Sequence, residues 1–180
     1  EDVRKAVTAD MKRTGSCLYL VGETKDEMGA SLFFRKFGGK ECDVPGVDIA
    51  NLKNLMDKLL SAMDKGLVLS CHDCSDGGLA VSVAEMCISG GIGADVDLTA
   101  MNDLPIDVKL FSESNSRWIV EVEPRSTSEF EALMGTDATI IGFTKGDALT
   151  IKKTDIKGVP VEDLRKAWND PIWNIMGGAA

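Results

Sequence analysis

Histidine is almost missing from this chain: His72 is the single one in 180 residues. Five cysteines are present (Cys17, Cys42, Cys71, Cys74 and Cys87), and only Cys71 and Cys74 form a Cys-x-x-Cys pair. A closed zinc site takes four such ligands, so none is expected here. An odd number of thiols scattered over apolar segments also speaks against a disulfide framework and for reduced cysteines in a cytoplasmic protein. Positive charge is short as well. The net charge is −9, and without a basic face neither nucleic acid nor an anionic membrane is expected as a partner. No apolar run approaches the ~20 residues of a membrane span, and Glu1-Asp-Val-Arg-Lys5 carries no secretory apolar segment. Internal repeats and low-complexity tracts are absent. So is a glycine-rich loop ending in Lys that would grip a triphosphate, and the chain alone is therefore expected to be inert with ATP. It opens on charged residues rather than Met, which reads as a fragment of something longer.

What is present is a chain of 44% hydrophobic residues, enough to bury a full core. Its organising stretch runs from Leu67 to Met86. Leu67–Leu69 predicts a buried strand, and Leu79–Ile88, apolar nearly all round, predicts a buried helix. Between them every residue from Ser70 to Gly78 is polar, small or titratable. A polar turn at the carboxyl end of a strand is where open α/β sheets place ligands. Asp76 or Ser75 would cap the helix while Gly77 and Gly78 allow the turn. Alternatively, Asp73 and Asp76 would hold Mg²⁺ with a phosphate, since two carboxylates at a helix N-terminus repel a bare anion but suit a metal-bridged one. His72 is the candidate catalytic residue.

Along the rest of the chain, Glu1–Gly15 reads as a linker meeting a single domain at Ser16. Cys17–Val21 predicts a strand. Leu32–Phe34 reads as a short helix or strand, and Ile49–Lys65 as an amphipathic helix capped by Asp48. Gly90-Gly91-Ile-Gly93 ends the central helix and opens a strand to Leu98. Leu104–Phe111 predicts a short helix, Trp118–Glu123 an alternating strand, and Ser126–Met134 a surface helix. Thr139–Thr144 and Leu149–Ile151 read as a hairpin across Lys145-Gly-Asp147. Val161–Trp168 predicts the last helix, followed by an apolar tail, Ile172–Met176, expected to dock. Strands alternating with helices give a two- or three-layer α/β sandwich on a mixed sheet. Ser112–Arg117 is either a solvated loop or a site in which Arg117, beside Glu113, offers a fork to a carboxylate or phosphate.

His72-Asp-Cys-Ser-Asp-Gly-Gly-Leu-Ala-Val81 resembles the HDxSDGGLAV signature of the phosphoribosylformylglycinamidine synthase family. Leu110-Phe-Ser-Glu-Ser-Asn-Ser-Arg117 is similar to that family's LFSESQSR, with Asn115 in place of Gln. Tyr19-Leu-Val-Gly-Glu-Thr-Lys-Asp-Glu27 is similar to its YLVGxTKDE. The resemblance implies the C-terminal domain of the synthetase, an α/β fold of the aminoimidazole ribonucleotide synthetase C-terminal type, over residues 16–180. It further implies an ATP- and Mg²⁺-dependent ligase of purine synthesis, in which ammonia from glutamine converts formylglycinamide ribonucleotide to its amidine. The implied partners are the upstream domains, a glutaminase subunit and a small accessory subunit. Ser75, Gly77, Gly78, Ser112, Glu113, Ser114 and Arg117 would then face substrate or nucleotide. A structural domain that seals an interface is the other reading.

Overall fold

A computed structural model describes residues 2–39 and 42–176. Seven strands form one sheet in the order β2-β4-β1-β5-β3-β6-β7. They are β1 (Cys17–Val21), β2 (Val68–Asp73), β3 (Ala94–Val96), β4 (Trp118–Val122), β5 (Ala138–Thr144), β6 (Ala148–Ile151) and β7 (Val159–Pro160). Every pairing is antiparallel except β3 with β6. The six helices are α1 (Leu32–Phe37), α2 (Ile49–Asp64), α3 (Gly78–Gly90), α4 (Ile106–Phe111), α5 (Thr127–Met134) and α6 (Val161–Ile175).

Helices cover both faces, which decides for three layers. On one face α3, α4 and α6 bury Leu79, Val83, Met86, Leu110 and Val161 against Leu18, Leu20, Ile119 and Ile141. On the other, α2 and α5 bury Leu55, Leu59, Phe130 and Met134 against Tyr19, Val21, Val120 and Val122. Successive residues of β1 therefore point into two different cores, so a continuous apolar run is what the strand requires. Asp48 caps α2 as expected, its carboxylate accepting the Asn51 amide at 3.0 Å.

Three expectations are corrected. The hairpin over 139–151 does not form, because β3 lies between β5 and β6 and pairs with both. The last helix does not stop at Trp168. It runs on through Pro171 to Ile175, and the tail expected to dock is its final turn, with Ile172, Ile175 and Met176 exposed. Nor does the fold wait for Ser16. Met11 is buried in the core, the Cys71 amide donates to Thr8 O at 3.1 Å, and the buried Glu121 carboxylate accepts the Lys12 and Arg13 amides. Ser70 Oγ donates to the same carboxylate at 2.9 Å, so Glu121 ties this segment to β2 and β4.

The register brings four strand ends to one pole of the sheet: Val21 opposes Trp118 and Ala138, and Asp73 also opposes Trp118. The loops after β1 and β2, and those before β4 and β5, meet there.

Candidate functional site

The loop that follows β1, the turn between β2 and α3, and the loop between α4 and β4 are stitched together at that pole. They are the three segments that carry the motifs. Arg117, only 1% exposed, lies at their centre. Its Nε donates to Ser114 O at 2.8 Å, Nη1 to Thr24 Oγ1 at 2.8 Å and Nη2 to Ser112 O at 2.6 Å. Burial pushes this guanidinium below its ordinary value, opposed by the charges of Cys74, Glu27 and Glu113. Arg117 makes no ion pair with the neighbouring Glu113. Arg117 binds two backbone carbonyls and the Thr24 hydroxyl, and a fork already committed to three internal acceptors is not offered to a ligand.

Glu113 instead receives two amides on Oε1, Gly77 N at 2.8 Å and Leu32 N at 2.9 Å. This replaces the cap expected from Ser75 or Asp76. Gly77 sits at φ +81°, and no side chain of the turn itself caps α3. A left-handed residue at the cap turns the preceding side chains away from the helix amides, and Ser75 Oγ bonds Asp73 Oδ2 at 2.5 Å. Ser112 and Ser114 face inward, not toward a ligand: Ser112 Oγ donates to Lys25 O at 2.8 Å, and Ser114 Oγ accepts the Lys25 amide at 3.0 Å. Gly78, at φ +65°, fits because a Cβ there would stand 2.5 Å from Ser112 O.

Two clefts open at this pole. One, of about 220 Å³, is lined by Asp73, Cys74, Ser75, Asn115, Arg117 and Trp118. The other, of about 300 Å³, has walls of Gly22, Thr24, Asn51, Asn102, Asp137 and Thr139. Thr24 and Asn102 were missed from sequence. Thr24 lies within a motif segment that signalled it, whereas Asn102, whose Nδ2 donates to Thr24 O at 2.7 Å, carried no signal.

Asp73 and Asp76 are both exposed at the mouth of the turn. Two exposed carboxylates suit Mg²⁺, which keeps water and phosphate oxygens as its other ligands. Among the described residues no group of three or more His, Cys, Asp or Glu is placed to hold a metal. His72 touches the cluster only through Nδ1, 3.6 Å from Asp73 Oδ1. Its Nε2 lies 2.7 Å from Glu85 Oε2, in a separate cleft with Ala9, Ile88, Ser89 and Trp168. The Cys-x-x-Cys thiols are raised, Cys71 to about 12 and Cys74 to about 11, chiefly by burial, so neither is poised as a thiolate ligand. Among the described residues no helix is long and apolar enough to cross a membrane.

Residues 13–152 match the family described as AIR synthase related protein, C-terminal domain. The phosphoribosylformylglycinamidine synthase subunit PurL of Methanocaldococcus jannaschii is 35% identical over 184 residues, covering 98% of this chain and 25% of its own length. Structures of Thermotoga maritima PurL share the fold. The complex with FGAR has a TM-score of 0.76 at 20% identity, covering 90% of this chain and 30% of that one. The complex with ATP has a TM-score of 0.67 at 19% identity, covering 90% and 27%. The structure of PurLQS has a TM-score of 0.72 at 20% identity, covering 90% and 28%. The chain thus spans about a quarter of the length of the relatives it matches. With its sheet, its two helical layers and most of its length matched, this chain belongs to the family of AIR synthase related protein C-terminal domains.

Proposed function

We propose that this chain forms the C-terminal quarter of a PurL-type synthetase, a C–N-bond-forming ligase of purine synthesis that uses ATP and Mg²⁺ in the cytoplasm. The observation that carries the reading is its 35% identity to the Methanocaldococcus jannaschii PurL over 98% of the chain. The meeting of all three motif segments at one pole supports it. In that reaction ATP phosphorylates the formamide oxygen of formylglycinamide ribonucleotide, and glutamine-derived ammonia displaces phosphate to leave the amidine. The residues divide into two kinds. Arg117, Glu113, Ser112 and Ser114 hold the loops in register, while Asp73, Ser75 and Asn115 wall the open cleft. Asp73 and Asp76 would supply oxygen ligands for Mg²⁺, which would offset the charge of a phosphate, and Gly77 and Gly78 let the chain turn behind them. His72, in its own cleft, is assigned no step. A glutaminase subunit and a small accessory subunit complete the assembly, with the preceding domains of the same synthetase as the nearest partners.

A second reading, a domain that shapes the synthetase without lining its live site, is favoured by Arg117 spending its donors internally. One experiment separates the two. The complete synthetase carrying Asp73→Asn is assayed for amidine formation with ATP and ammonia, and for Mg²⁺-nucleotide affinity by calorimetry. Weaker nucleotide binding supports the first reading. Unchanged turnover and binding give the second, and amidine formation by the 180-residue chain alone overturns both.

A further inference from the structure

Helix α6 outruns the domain that it belongs to. Val161, Leu164, Trp168, Ile172 and Ile175 recur at helical spacing on one face. Val161 is buried and Leu164 packs on the core. Beyond them the same face is bare: Trp168 is 55% exposed, Ile172 65% and Ile175 86%. The uncovered part spans ~12 Å of helix. An apolar stripe that starts in a core and continues into solvent marks a surface made to be covered. At its foot lies the cleft of about 220 Å³ between Trp168, Ile88 and Ala9, with Glu85 and His72 in its wall.

We propose that this stripe and its cleft are a docking surface for another part of a PurL-type synthetase, one that presents apolar side chains and a lysine or arginine directed at Glu85. The proposal rests on the reading given above, in which this chain is a quarter of that protein. Charge favours such an occupant over a second copy. Two chains of −9 repel each other, and a copy brings no excess of cations to a cleft whose one carboxylate, Glu85, faces only the His72 ring among the described residues. Length agrees, since about three quarters of a PurL relative lies outside the part that this chain matches. An aromatic face beside a carboxylate suits a cationic side chain, which gains from both.

Hydrogen exchange decides the matter, comparing residues 168–176 in the 180-residue chain and in the complete synthetase containing it. Exchange at least tenfold slower in the complete protein is expected. Ile172→Asp together with Ile175→Asp should restore fast exchange there and lower the melting temperature of the complete synthetase, but not that of the chain alone. Glu85→Lys should restore fast exchange as well, and protection retained in that variant overturns the cationic part. Equal exchange in the two proteins overturns the docking surface. So does a dimer of the chain alone, seen by sedimentation and broken by Ile172→Asp, which would make a second copy the occupant. Amidine formation is read separately: an active synthetase with an unprotected α6 sinks only this inference, and a protected α6 without that activity sinks only the functional reading.

Discussion

Glu113 caps a helix that begins in another loop: its Oε1 accepts the Gly77 amide, 36 residues earlier in the chain, at 2.8 Å. The same oxygen receives Leu32 N, so three separate segments share one acceptor. Glu113→Ala is expected to cost about 1–2 kcal/mol by leaving two amides without it. Glu113→Gln keeps an acceptor and should lose less. Asp76→Ala should stay within about 0.5 kcal/mol, as exposed substitutions do. Urea titrations of the three variants check this, and equal losses for Glu113→Ala and Asp76→Ala would return the cap to the turn.

Arg117→Lys is expected to lower stability by about 2–4 kcal/mol. One ammonium cannot reach Thr24 Oγ1, Ser112 O and Ser114 O together, and the acceptors left behind are buried. Thermal melts of the variant measure it. A wild-type melting curve combined with a raised KM in the complete synthetase would instead give Arg117 to a ligand.

Burial raises the thiols of Cys71 and Cys87 to about 12 and that of Cys74 to about 11, from an ordinary value near 9. Their protonated forms stabilise the fold fully below about pH 9, and that contribution is lost as pH climbs toward 12. At pH 8 a thiol reagent should label the exposed Cys42 fastest in the native chain, the half-buried Cys71 more slowly, and Cys17, Cys74 and Cys87 only after unfolding. Native labelling of Cys74, or of Cys71 as fast as Cys42, would contradict this and revive a reactive pair.

Two glycines with similar positive φ should respond differently to alanine. At Gly78 (φ +65°) the new Cβ stands 2.5 Å from Ser112 O and 2.8 Å from Leu110 O, whereas at Gly146 (φ +59°) nothing lies within 4 Å. Gly146→Ala should cost about 1 kcal/mol from backbone strain alone. Gly78→Ala should cost several times more, or prevent folding, as read by circular dichroism and urea titration. Matching losses would mean that the two loops separate without penalty.

What was legible in the sequence is what neighbouring residues decide. Apolar spacing placed α2 and Asp48 announced its cap, while the polar stretch 70–78 lies where the motifs gather but is a turn only after Asp73, because β2 runs through Ser70–Asp73. What was hidden depends on residues far apart. Lys145-Gly-Asp147 has the composition of a hairpin turn, yet β3 supplies a better partner to both flanking strands, and no local pattern encodes that insertion. The cap from Glu113 was invisible for the same reason. Glu113 and Arg117 go to different partners because a spacing of four brings side chains together only on a helix, and this stretch is a loop with Ser116 in the left-handed region.

The place of β1 in the sheet has a consequence for synthesis. It is an interior strand, yet its two neighbours are β4 and β5, and neither is made until Trp118 and Ala138 have left the ribosome. Cys17–Val21, apolar on both faces, therefore waits unpaired until β4 has been made, as strands with distant partners must. The helices made in the interval, α2 and α3, carry the apolar faces that later cover it, and they are the surfaces a nascent chain has for shielding that strand until the sheet closes.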